Sequence, residues 1–337
     1  MTEVPVTDDN PEENAAFHPP NAERSRTGGA GWWRREFSSL LVLVLLLLFL
    51  ALAQREFFDS NNIRDILVEN SYVFIAGIGA TIVILAAGID ISIGSMLAAC
   101  SVTAGVLARN GLPLPVVILA TLGMGSVLGL INGIFVARLQ LPPIIVTLAT
   151  MSIYRGAVTW YTQGQWIQNL PASFTYLGQG SFLGIPIPVW VAAFTAIAAA
   201  AFLQLSRTGR HIYAVGSNPV SAELSGINVN RIRLLTYVLS GFLVGVASLV
   251  YASRFSQIQS NTGIGFELTV ITAAVVGGTN IFGAVGSVWG TLSGVLLLGS
   301  VHPALVYRHI SSYWENAIQG SFILLAILGD AIRSKRR

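Results

Sequence analysis

Read as a string of apolar and polar positions, the chain is a succession of long apolar runs separated by short polar interruptions. The first is FSSLLVLVLLLLFLALA, residues 37–53, entered through Trp32-Trp33-Arg34-Arg35. That is an aromatic and basic anchor of the kind found at a membrane–water interface. A helix needs about 20 residues to cross the apolar layer. On that ruler further helices are predicted near 70–88, 94–109, 113–137, 143–160, 187–205, 234–253, 266–278, 286–304 and 314–332. The pattern therefore predicts an all-α polytopic membrane protein with ten transmembrane helices and both termini on one side. Residues 1–36 are polar, rich in Asp, Glu, Asn and Pro, and without apolar periodicity, which reads as a disordered tail. The run 37–53 also resembles a cleavable signal, with Ala51-Leu52-Ala53 as its processing site, but it is longer than the roughly 7 to 15 residues of a signal core.

Composition agrees. Of 337 residues, 53% are hydrophobic and 10% charged, against roughly 25% charged in a soluble domain, and the mean hydropathy is +0.67. Acidic residues crowd into the first 70 positions, and beyond them only Asp90, Glu223, Glu267, Glu315 and Asp330 remain. The net charge of +3 does not point to nucleic acid, because Lys and Arg flank the apolar spans and the medium they meet is membrane lipid. Thirteen lie on the side of the termini (Arg24, Arg26, Arg34, Arg35, Arg138, Arg207, Arg210, Arg231, Arg233, Arg333, Lys335, Arg336, Arg337), and five on the other (Arg55, Arg64, Arg109, Arg254, Arg308). Arg155 falls inside a span. The positive-inside rule then makes both termini cytoplasmic. The transmembrane domain is 37–333, with a cytoplasmic loop at 206–233 and a basic end at 334–337.

Phosphate-loop, zinc-protease and nucleophile-elbow motifs are all missing, the four histidines are scattered, and Cys100 is alone, so neither an enzyme site nor a metal site is expected. Gly125, Gly129 and Gly133 recur at four-residue spacing, as do Gly286, Gly290 and Gly294, which reads as close helix packing. A faint echo links AAGIDISIGS with VGGTNIFGAVGS. Both fall at predicted cytoplasmic helix ends, so an inverted repeat does not follow.

Four places could carry function. Around Gly88, Asp90, Ser92 and Gly94 the helix must break; Asp90 there is either a lining or gating carboxylate at membrane depth or a cap for the next helix. In the span that begins at 143, Thr147, Thr150 and Tyr154 share one face with Arg155 beside them. They either line a path for a hydroxyl-rich solute or spend their hydroxyls on their own i−4 carbonyls while Arg155 reaches outward. The loop 162–174 carries Trp166 among amides, as an interfacial belt or as a docking surface for an external protein. In the loop 206–233, Asn218 suits an N-cap, Pro219 a first helical position and Gly226 a stop. A short helix there offers a surface to a cytoplasmic partner.

The motifs GIDISIGS (88–95), LPPIIVTLATMSIYRG (141–156), TGRHIYAVGSNPVSAELSGINVNRIRLLTYVLSG (208–241) and GFELTVITAAVVGGTNIFGAVGSVWGT (265–291) together resemble the permease subunits of bacterial carbohydrate ABC importers of the ribose/xylose/arabinose class. YRG followed by TQGQWIQNLPASF is similar to the autoinducer-2 and rhamnose subgroup. The resemblance implies an inner-membrane subunit with no cofactor of its own, a second permease, identical or paralogous, ATPases that spend ATP, and an extracytoplasmic sugar-binding protein. It also implies that the ATPase meets Asn218, Pro219, Ser221, Ala222, Glu223 and Gly226, and that Asp90 belongs to a family element. An ion-coupled secondary transporter is the rival, and it would need more intramembrane titratable groups than this chain offers.

Overall fold

The computed structural model describes residues 55–307 except 256, together with scattered residues between 40 and 51 and between 310 and 328. The expected tail 1–36, the basic end 334–337 and most of the expected spans 37–53 and 314–332 lie outside the described residues. The described region is helical: α1 (Ser60–Leu85), α2 (Ile93–Arg109), α3 (Leu114–Gly133), α4 (Pro143–Thr162), α5 (Ala172–Gln179), α6 (Ile187–Leu205), α7 (Arg207–Ser217), α8 (Pro219–Leu224), α9 (Val229–Arg254), α10 (Phe266–Val276), α11 (Val288–Gly299) and α12 (Val301–Tyr307). Between α5 and α6 lies a two-stranded hairpin, β1 (Ser181–Phe182) paired with β2 (Ile185–Pro186).

Among the described residues, five stretches are long and apolar enough to cross a membrane: Ser60–Leu85, Leu114–Arg138, Ile187–Leu205, Val229–Arg254 and Val288–Tyr307. Local chemistry moves several boundaries from their expected places. Helix α1 begins ten residues before the apolar run, because Asp59 Oδ2 accepts from the Asn61 N–H at 3.2 Å and starts the helix in polar sequence. Helix α9 begins at Val229, capped by Asn228, whose Oδ1 accepts from the Arg231 N–H at 2.9 Å. Leu114–Gly133 continues into a π-helical turn, Ile134–Arg138. The run expected to span at 266–278 forms only the eleven residues of α10. At 1.5 Å per residue that is about 16 Å, roughly half the apolar layer.

Helix α9 is the central post, packing on α1, α2, α3 and α5. Its contact with α3 is set by glycine. A methyl built on Gly129 would collide with the Tyr237 carbonyl, and one on Gly125 with the carbonyl of Gly241. The backbones touch there, which is the close approach that small residues permit in a membrane. Gly290 and Gly294 pack in the same way on Gly277, which caps α10, and on Ala273 within it, while Gly286 sits in the turn before α11. The two echoing loops meet: Ala87 and Ala284 are both left-handed (φ 59° and 65°), and the Ala284 N–H donates to the Leu85 carbonyl at 3.1 Å. The hairpins α1–α2 and α10–α11 thus turn at the same end of the bundle, side by side, which is not the arrangement of an inverted pair.

Candidate functional site

Asp90 lies in the break between α1 and α2 and is 2% exposed. Its Oδ1 accepts from the Ser92 N–H at 2.9 Å and from the Ser92 hydroxyl at 2.6 Å. This closes a tight turn just before α2. Ser92 is the N-cap residue, and its hydroxyl, turned back to Asp90, makes no cap bond to the helix. The carboxylate therefore braces the break and does not cap the helix directly. From α3, Asn132 Nδ2 donates to Ser92 Oγ at 2.8 Å and lies 3.5 Å from Asp90 Oδ1. From α4, the Tyr154 hydroxyl donates to the Leu128 carbonyl at 3.0 Å and is 3.4 Å from Asn132 Oδ1. From α9, the Tyr237 hydroxyl donates to the Ile89 carbonyl at 3.2 Å. Three helices, α3, α4 and α9, are thereby tied to the unwound turn between α1 and α2. The second carboxylate oxygen, Asp90 Oδ2, has no partner among the described residues.

The expected polar face of α4 divides. Thr147 donates to Pro143 at 2.9 Å, with Ile89 a longer 3.4 Å away, and Thr150 donates to Thr147 at 3.3 Å. Both threonines are buried and spend their protons mainly on their own helix. Asp90, Ser92, Thr147, Thr150 and Tyr154 form one neighbourhood. Arg155 does not join it. Its guanidinium donates to the Thr262 carbonyl at 2.6 Å. Sequence reading missed Asn132 and Tyr237. Asn132 had a signal, as the lone amide in the apolar run 113–137.

The loop helix forms as its sequence dictates. Asn218 Oδ1 accepts from the Ser221 N–H at 3.0 Å, and Pro219 holds the first turn. Gly226 takes φ +82°. Its N–H donates to Glu223 at 2.9 Å, while Ile227 N–H reaches back to Ala222 at 3.0 Å. That pair of bonds is a Schellman stop. Ala222 is buried and anchors α8, so the face it presents is Val220 (66% exposed), Glu223 and Leu224 (86% exposed). Helix α7 adjoins the end of α1, since Gly216 sits against the Leu85 carbonyl and Ala284.

At the opposite end, the loop 162–174 is held by two bonds between Ile167 and Ile258, each 2.9 Å. There Arg109, Gly164, Gln165, Trp166, Gln168 and Asn169 line a polar cleft of about 520 Å³.

Residues 62–327 match the family described as branched-chain amino acid transport system / permease component. The chain belongs to this permease family. The permease is 39% identical to the ribose import permease protein RbsC of Haemophilus influenzae over 285 residues, covering 83% of this chain and 88% of the relative. It is 37% identical to RbsC of Escherichia coli K12 over 303 residues (88% and 94%). With the autoinducer 2 import system permease protein LsrC of Salmonella typhi it shares 35% over 294 residues (87% and 84%). The Asp90 turn, the α4 face and α8 all lie within the matched residues.

Proposed function

We propose that this permease is the transmembrane subunit of an ATP-binding-cassette importer that carries a monosaccharide-like solute, of the ribose, rhamnose or autoinducer-2 kind, across the inner membrane. The observation that carries the reading is similarity over more than four fifths of the chain to import permeases named for ribose and for autoinducer 2. The chain makes and breaks no bond in this reading; partner ATPases supply the energy. Ten spans with both termini cytoplasmic suit the thirteen-to-five distribution of basic residues. In that orientation α8 faces the cytoplasm and offers Val220 and Leu224 to an ATPase. Asn218, Pro219, Ser221 and Gly226 fix its shape, Ala222 seats it, and Glu223 lies on the contacting face. The polar cleft at Arg109 then faces outward, towards a sugar-binding protein. A second permease, identical or paralogous, completes the pore. Asp90, Ser92, Thr147, Thr150 and Tyr154 brace the wall of the passage, and Arg155 belongs to its lining.

The test is reconstitution of the permease with its ATPase and binding protein in liposomes, followed by uptake of a panel of pentoses, deoxyhexoses and autoinducer 2. ATP-dependent uptake of one panel member is expected. Uptake driven by an ion gradient without ATP would overturn the reading in favour of a secondary transporter.

A further inference from the structure

The stretch that follows α9 has the composition of a surface loop, SQIQSNTGIG (256–265), yet from Ile258 onwards it runs into the interior. Ile258 packs against Gly105, near the Arg109 end of α2. Five residues later, Gly263 lies backbone to backbone with Gly94, at the other end of the same helix. Gly94 and Gly105 are about 16 Å apart along α2 at 1.5 Å per residue. The chain passes inward between them as turns and not as a helix, the Thr262 N–H donating to the Gln259 carbonyl at 3.2 Å, and the Ile258 side chain makes up part of the distance. Its end point is fixed independently: the Phe266 ring stacks on Tyr72 at 5.6 Å. Tyr72 is twelve residues into α1, within the apolar run that begins at 70. Helix α10 thus begins inside the apolar layer.

Non-helical backbone at that depth survives only where protein covers it or water reaches it. Protein does not cover it fully. Ile264 is 71% exposed and Leu268 is 59% exposed. Among the described residues, no backbone bond is made by the N–H groups of Gly263, Ile264 and Gly265. Two ionisable side chains stand beside this backbone. The Glu267 carboxylate rests against Gly94. Arg155, twelve residues into α4, has five N–H donors, and among the described residues only the Thr262 carbonyl accepts from it. Lipid would leave these groups unsatisfied at several kcal/mol each.

We infer that the solute-conducting surface inside the apolar layer includes this inward-running stretch and the first turn of α10, with Ile264, Gly265, Glu267 and Leu268 facing water beside Arg155. The inference rests on the permease reading and deepens it. The Asp90 turn, by contrast, is a closed brace behind the lining. The exposed apolar side chains Ile264 and Leu268 give the passage a narrow waist flanked by hydrogen-bonding groups, which suits a solute with an apolar ring face and a rim of hydroxyls.

The test is thiol accessibility in the reconstituted complex under ATP turnover, with a charged, membrane-impermeant methanethiosulfonate on both faces of the bilayer. Buried Cys100 is left in place as an internal blank. Ile264→Cys and Leu268→Cys are expected to react at least tenfold faster than Ile197→Cys. That control position is also exposed and lies near the middle of α6, on an apolar helix. Labelling at 264 should also stop uptake. Equal, slow reaction at all three positions would overturn the inference, because it would place 264 and 268 in lipid or in a dry protein contact. Failure of the importer reading is distinguishable: the unmodified permease would then show no ATP-dependent uptake, whatever the labelling pattern.

Discussion

Leu224 on α8 offers the most direct test of energy coupling. Fully burying a leucine side chain is worth about 1.5–3 kcal/mol. Leu224 is 86% exposed in the free permease, so nearly all of that gain remains to be realised against a partner. Truncation to alanine keeps Cβ and forfeits about 1–2 kcal/mol of it, which weakens association roughly 5- to 30-fold at 1.4 kcal/mol per tenfold. The fold should be unaffected, because α8 is held by the Asn218 cap, the Gly226 stop and buried Ala222. The assay is the Kd of the detergent-solubilised permease for its ATPase, with Leu119→Ala as the control. Leu119 is comparably exposed but sits near the Arg109 end of α3. An unchanged Kd for Leu224→Ala would refute the assignment of α8 as the contact.

Three further outcomes are expected. Asp90→Asn keeps an oxygen for the Ser92 N–H and should stay folded, whereas Asp90→Ala orphans that buried donor and should cost about 1–3 kcal/mol; thermal unfolding in detergent ranks the two, and uptake by Asp90→Asn reports whether the charge itself matters. Gly129→Leu should abolish stable protein, since its side chain would enter the Tyr237 carbonyl and neither backbone can retreat, with overpacking costs of 1–3 kcal/mol or more; monodispersity on size exclusion is the readout. Asn218→Ala should loosen α8 by about 1 kcal/mol and lower permease-stimulated ATP hydrolysis, while Asn218→Ser, which also caps, should restore it.

What the sequence reveals depends on how locally each element is determined. Helix α8 is legible because its cap, its proline and its glycine stop act on neighbours within a few residues. The glycine stripes are legible because a four-residue spacing has one dominant meaning in a membrane. The Asp90 turn is legible only as a break: Ser92 closes it locally, but the bonds that tie it into the bundle come from Asn132 and Tyr237, 42 and 147 residues away along the chain. The apolar run at 266–278 has the hydropathy of a span but half the needed helix, because the residues before it carry the chain inward as irregular backbone. Polar composition signals a loop; only contacts with Gly94 and Tyr72 reveal its depth.

The joint at Gly216 bears on how motion can pass through the molecule. Helix α7 is wedged where the Leu85 carbonyl and Ala284 meet, with no space for even one methyl group, and a single residue, Asn218, separates it from α8. A tilt imposed on α8 is not absorbed by a slack tether, as it would be in a long flexible loop. It is delivered through a stiff elbow to two hairpins at once, one leading to the Asp90 turn and the other to the half-length helix α10. The two turns share a fulcrum, and neither can swing alone.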